Sequence, residues 1–293
     1  MVHNEFDLEL WQSRFPLSKL IEEDKFDRWR NSRADFVTAP GELALELAIR
    51  DATQDERGPF PTLPTDVFVF GAGEPEVPYL TKVGGRPYLA ADKPWARTSK
   101  GEMMSFVAQI CFLDSRNLVG ETPGDVLLIF GRTMPSRYYR ILDWEPEDDD
   151  SFQFEWVNVS ETDTLRAPPE GTWEFNPYYT EIHRTTDLLD PDPFIRNGRD
   201  ELVLLPSVLP TTKISGAPFW AQDEQELPGR FLGMLSDFDF PTAYPLLNRE
   251  EPLKHAPYGS EQWIEQWGKV PSLEAYLYLF LDGDEIHWTA QGG

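Results

Sequence analysis

Two lysines, Lys82 and Lys213, occupy matching places in the stretches Lys82-Val83-Gly84-Gly85-Arg86-Pro87-Tyr88-Leu89 and Lys213-Ile214-Ser215-Gly216-Ala217-Pro218-Phe219-Trp220. Both keep the order Lys, aliphatic, small, Gly, any, Pro, aromatic. Cations at equivalent points of two halves would suit an anionic ligand held in a groove between them. Gln109 lies within the apolar run Phe106–Leu113. Its amide must find partners there, from the backbone or from a ligand, or its burial costs about 1–3 kcal/mol. A third group is acidic: Glu145, Glu147, Asp148, Asp149 and Asp150, flanked by Trp144 and Trp156. Rim charges of this kind set the rate at which a basic protein arrives, and aromatic anchors hold it once it has docked.

Other chemistries are poorly served. The four histidines, His3, His183, His255 and His287, include no His-x-x-x-His pair with metal-ligand spacing. The acidic run Glu147–Asp150 and the segment Asp282-Gly283-Asp284-Glu285 both lack the Asp-x-Asp-x-Asp-Gly…Glu order that places oxygens around calcium. There is no Gly-x-Ser-x-Gly elbow, no phosphate loop and no Gly-x-Gly-x-x-Gly after a strand, so no cofactor is expected. A hydrolase could be assembled only from distant parts, for instance His183 with Glu181 or Asp187. The one cysteine, Cys111, excludes an intrachain disulfide and a cysteine zinc cluster, and its apolar surroundings predict an inert thiol.

Charge narrows the partners. The net charge is −25, and it is uneven: residues 61–141 hold nine Lys/Arg against eight Asp/Glu, whereas residues 142–293 hold nine against thirty. Nucleic-acid binding is excluded on this balance, because it depends on basic side chains neutralising phosphates. Solubility and a basic protein partner are the two readings left open. No apolar run approaches the roughly 18 residues of a membrane span, and Met1-Val2-His3-Asn4 opens neither a signal peptide nor a lipidation motif. No membrane partner and a cytoplasmic location are expected. Oligomeric state is not written in the sequence.

The elements that must position these residues follow from pattern. Residues 5–36, broken at Pro16, and 41–50 carry helical spacing, and Ser260 to Gly268 reads as a short helix. From Asp66 onward the runs are short, apolar and β-rich: 67–70, 106–113, 126–131 and 202–205. The spacing predicts a hairpin of Tyr138–Trp144 with Phe152–Val159, in which Phe152, Phe154 and Trp156 share one face. A second is predicted at Tyr276–Leu281 with Glu285–Thr289 around Asp282-Gly283. The repeat extends beyond the lysine motif. Phe106-Val107-Ala108-Gln109-Ile110 answers to Phe231-Leu232-Gly233-Met234-Leu235, and Val126–Phe130 answers to Tyr276–Phe280.

The run Gly84-Gly85-Arg86-Pro87-Tyr88-Leu89-Ala90-Ala91-Asp92, with Pro94-Trp95 and Phe106–Ile110, resembles the hallmark of the YwqG-like family of uncharacterised, mostly bacterial proteins. Trp267-Gly268, the Tyr276–Leu281 strand and Trp288 are similar to that family's C-terminal part. The resemblance implies a compact α+β fold with an internal duplication and no established activity, cofactor or catalytic set. The chain departs from the family at Met234, where a glutamine like Gln109 is usual, and at Cys111, which replaces a polar residue.

These readings predict an α+β protein: a mainly antiparallel sheet made of two pseudo-twofold units, 60–160 and 201–293, joined by a connector at 161–200, with an N-terminal helical segment, 1–59, packed on it. The expected function is a non-enzymatic acidic binding protein that engages a basic protein partner, like an inhibitor or immunity protein. The alternative is a small-molecule or peptide-binding module using the groove between the units, and a third reading is a hydrolase.

Overall fold

The structure is a computed structural model that describes residues 60–135, 140–142, 150–160, 164–189, 194–196, 202–204, 208–209, 211–236 and 275–292. Its centre is a pair of long antiparallel strands, β1 (Thr62–Ala72) and β8 (Tyr178–Leu188), in register along their whole length. On the β8 side follow β2 (Lys82–Val83), β3 (Ser105–Cys111), β4 (Val126–Gly131) and β7 (Phe152–Val157). On the β1 side follow β11 (Lys213–Ser215), β12 (Arg230–Ser236), β13 (Tyr276–Asp282) and β14 (Glu285–Gln291). One ten-stranded sheet results.

Its order is that of a duplication. Lys82 faces Tyr179 of β8, and Lys213 faces Val67 of β1. Two residues further along each long strand, Val69 and Glu181 face one another, and the pseudo-twofold axis falls there. Each half's first strand therefore lies across the axis, beside the short lysine strand of the other half. The β-bulge is duplicated as well, between Phe106 and Ala108 in β3 and between Phe231 and Gly233 in β12. Bulges add twist, and the twisted sheet curls until its two edge strands meet, with the Phe152 and Trp288 rings 4.9 Å apart.

The inner face so enclosed is the shared core, including Phe68, Val83, Ile110, Leu127, Ile214 and Leu279. The outer face carries two separate cores. One packs Tyr88, Leu89 and Trp95 over Phe106 and Phe130, and the other packs Phe219 and Trp220 over Tyr276, Tyr278 and Phe280.

Several sequence expectations need correction. The fold is not α+β: among the described residues it is antiparallel β, with helix limited to the single turn α1 (Arg116–Val119) and a 3-10 turn at Leu113–Ser115. The covers over the sheet are aromatic loops, and an antiparallel meander needs no crossover helix between its strands. The helices expected at 5–36, 41–50 and 260–268 lie outside the described residues. Residues 140–142 and 152–157, the described parts of the hairpin expected of Tyr138–Trp144 with Phe152–Val159, pair with other strands and not with one another. β7 pairs with β4, while β5 (Thr133–Pro135) pairs with β6 (Arg140–Leu142) in a separate ribbon. The Arg132 amide donates to the Ser151 carbonyl at 3.0 Å and closes the neck of that excursion. Residues 178–188, read as connector, supply β8, and β9 (Phe194–Arg196) with β10 (Leu202–Leu204) forms a second small ribbon. The C-terminal hairpin has the expected tight turn, with Gly283 at φ +60°.

Candidate functional site

Both lysines are fully buried, and each closes the same three-part knot. Lys213 Nζ donates to Asp187 Oδ2 at 2.8 Å, with neither side chain exposed. The same oxygen accepts the Ala217 amide at 2.9 Å, and Oδ1 accepts the Leu209 amide at 2.9 Å. Lys82 Nζ donates to Glu74 Oε2 and to the Arg86 carbonyl, while Glu74 Oε1 accepts the Arg86 amide at 3.1 Å. Arg86 and Ala217 are equivalent residues. One acid lies just past the end of β1 and the other near the end of β8, while the lysines lie on the short strands β2 and β11. Burial pulls the Lys82 ammonium down from its ordinary value of 10.5, and Glu74 pulls it back up.

The glycine of the motif is explained by the acid. A Cβ on Gly85 would meet Glu74 Oε1 at 2.2 Å, and one on Gly216 would meet Asp187 Oδ2 at 2.1 Å; both residues have positive φ. The residue before each lysine belongs to the motif too. Thr81 Oγ1 accepts the Cys111 amide and Thr212 Oγ1 accepts the Ser236 amide, both at 2.9 Å.

Gln109 faces Lys82 on the neighbouring strand. Its Oε1 accepts the Tyr88 amide at 3.0 Å, and its Nε2 donates to the carbonyls of Pro78 and Leu80 at 2.8 and 2.7 Å. Backbone groups thus engage both ends of the amide, which clamps the Tyr88 loop to the sheet. Residues 81–194 match the family described as Domain of unknown function (DUF1963). The matched segment takes in Lys82, Gln109 and the whole of β8 with Asp187, and it stops short of Lys213. No curated protein matches the chain.

Outside the matched segment the clamp is built differently. Met234 stands opposite Lys213 where Gln109 stands opposite Lys82. There the tie is Tyr278, whose hydroxyl donates to the Phe219 carbonyl at 2.5 Å and accepts the Ala221 amide at 3.2 Å. Burial pushes its phenol up to about 12.

The groove with convergent lysines does not form. Lys82 and Lys213 sit in separate knots with two strands, β8 and β1, between them. Of the acidic group, Trp144, Glu145, Glu147, Asp148 and Asp149 lie outside the described residues. Asp150 is half-buried, and its carboxylate accepts the amide and hydroxyl of Ser99 at 2.6 and 2.5 Å. Trp156 points inward with Phe154 against the shared core, its ring 5.6 Å from that of Phe112. Asp187, the acid offered to His183, is committed to Lys213. It also lies four residues along an extended strand, about 13 Å away.

Two features were missed from sequence. Asp66 is fully buried and takes a bidentate pair from Arg184, Nε to Oδ1 and one Nη to Oδ2, each at 2.8 Å, with the Ser115 hydroxyl donating to Oδ2 at 2.6 Å. The arginine and its acid are joined across β8 and β1 at facing positions, a pairing that only the register reveals. Beside this pair, where β2 stops short between β3 and β8, the sheet opens into a hollow of about 360 Å³ lined by Leu80, Thr81, Cys111, Asp114, Thr180 and Ile182. Cys111 is buried in its wall, and its thiol is pushed up to about 11, chiefly by desolvation.

Proposed function

We propose that this chain is a non-enzymatic acidic binding protein that engages a basic protein, in the manner of an inhibitor or immunity protein. The observation that carries the proposal is the distribution of charge: thirty Asp/Glu against nine Lys/Arg over residues 142–293, next to a near-balanced 61–141. A one-signed field of that size speeds the encounter with a cationic partner and weakens as salt screens it. The interior supports the same reading. Lys82, Lys213 and Gln109, the polar residues that a ligand or a reaction would have used, are consumed in tying loops to the sheet. The matched segment is read as YwqG-like, a resemblance that brings no catalytic set with it. A cytoplasmic location and the exclusion of nucleic acid belong to the same proposal; among the described residues no helix is long and apolar enough to cross a membrane.

The test is calorimetric binding to a panel of small basic proteins, with acidic proteins as controls, at increasing salt. A variant with Glu145, Glu147, Asp148 and Asp149 all replaced by lysine is measured alongside. Binding is expected to weaken steadily with salt, and the variant to lose about tenfold or more in affinity, mainly through its on-rate. Salt-independent binding, or a variant that binds like the parent chain, refutes the proposal.

A further inference from the structure

The hollow beside β8 lies at a position where the two halves carry different residues. The two halves superpose β8 on β1 so that Tyr179 and Val67, the residues facing Lys82 and Lys213, correspond. One position further, Thr180 corresponds to Phe68. Phe68 is fully buried in the shared core, and its neighbours Thr211, Thr212 and Ser236 are buried with it. Thr180 is smaller and only half-buried, and its hydroxyl is turned to the Thr81 carbonyl at 3.0 Å. At this point one half carries a buried ring and the other a small hydroxyl side chain at the hollow.

What lines the opening describes its occupant. Leu80 and Ile182 give apolar walls, and Ile182 is 37% exposed, one of few large aliphatic side chains left at the surface among the described residues. Asp114 adds a carboxylate at the exposed rim. Arg184, beside the hollow, has its guanidinium on Asp66 and on the Asp114 carbonyl and feels the charge of the Asp114 carboxylate, while none of the described hydrogen bonds ends on that carboxylate. Apolar walls with an acid at the mouth match a long basic side chain, whose methylene stem takes apolar contact while its charged head stays at the rim. Arginine is also enriched among the residues that anchor protein interfaces.

We propose that this hollow is the anchor pocket for one arginine side chain of a basic protein partner. The inference rests on the acidic-binder reading and names where on the surface the contact is made. Thr180→Phe fills the hollow with the residue that the other half already uses and leaves the net charge unchanged. Asp114→Asn, at an exposed position, removes the rim charge without touching the walls.

The probes are a short arginine-containing peptide with flanking lysines and the same peptide with citrulline in place of arginine, titrated by calorimetry against parent and both variants. The parent is expected to prefer the arginine peptide about tenfold, and each variant to lose that preference, the equivalent of about 1.4 kcal/mol. If the parent binds both peptides and Thr180→Phe or Asp114→Asn binds them unchanged, the pocket is overturned while the acidic-binder reading stands. If the parent binds neither peptide nor the basic proteins at low salt, that reading falls and the pocket with it. Should Thr180→Phe fail to fold, Asp114→Asn decides the matter alone.

Discussion

Lys82 and Lys213 hold the same place in the two halves and are equally buried, yet the acids that pair with them meet water differently. The first half draws its acid from a loop: Glu74 lies beyond the end of β1 and keeps a side chain 32% exposed. The second half draws its acid from within β8, and Asp187 is sealed beside Lys213 with no exposure on either side. The two halves differ in the next layer out as well, where the first uses a Gln109 clamp and the second uses Met234 and Tyr278. The acid of one knot is sealed from water; the acid of the other reaches it. A duplicated fold can specialise in this way because its shared inner core holds both halves whatever their outer faces become.

The sharpest way to break the comparison is to remove the lysines one at a time. Lys213→Met leaves Asp187 charged in a sealed site with two amide donors and no cation, and is expected to cost about 3–5 kcal/mol. Lys82→Met leaves Glu74 at a rim that water can reach, and is expected to cost clearly less, about 1–2 kcal/mol. Chemical denaturation of the two variants gives the ordering directly. Equal losses would mean that solvent reaches Asp187 as readily as Glu74. Replacing Lys213 and Asp187 together by methionine and leucine is expected to recover part of the loss, because no charge then remains to be buried, while the Leu209 and Ala217 amides lose their acceptor.

A smaller contrast is expected at the glycines. Gly216→Ala drives a methyl against Asp187 Oδ2 and the Thr65 side chain, and Gly85→Ala drives one against Glu74 Oε1 and the Pro177 side chain. Glu74 can swing toward solvent; Asp187 is held by Lys213, Ala217 and Leu209. Both substitutions add the strain of alanine at positive φ. Gly216→Ala is therefore expected to lose about 2–3 kcal/mol and Gly85→Ala about 1–2 kcal/mol by the same measurement. A larger loss at Gly85 would reverse the assignment of which knot is rigid.

The lysines, the glycines and the proline of the knot were legible because they recur at fixed spacing. Their acids were not, because Glu74 lies 8 residues before its lysine and Asp187 lies 26 before. The same structural point is reached by a short loop in one half and a long one in the other, so no motif contains it. Alternation placed Phe152, Phe154 and Trp156 on one face correctly, but periodicity does not say which face is inward. A pair of tryptophans near an acidic loop therefore looked like an anchor, although Trp156 belongs to the core. The α+β expectation came from helical spacing in segments beyond the described residues and from the fold that the family resemblance implied. Nothing in residues 60–236 carried that signal, and there the strand readings of the apolar runs held for β1, β3 and β4. The hollow was invisible because its lining comes from four separate stretches, Leu80 and Thr81, Cys111, Asp114, and Thr180 with Ile182, which only the folded sheet brings together.

The finest test of the comparison is alkaline. Cys111 and Ser236 are equivalent residues, each donating its amide to the threonine of its half's motif. Only Cys111 titrates in reach of experiment. Burial raises its thiol from 9.0 to about 11 in the folded chain, so the folded state keeps the proton after the unfolded state has lost it. Stability from this group is fully present below the unfolded value and is lost as pH climbs toward the folded one. Near pH 10 the parent is expected to have lost about 1 kcal/mol on this account relative to pH 8. Cys111→Ala removes the titration, so its denaturation free energy should fall by that much less over the same interval, whatever the substitution costs at neutral pH. If parent and variant fall in parallel, the thiol is solvated through the hollow, and the wall that Cys111 forms is wetter than its burial indicates.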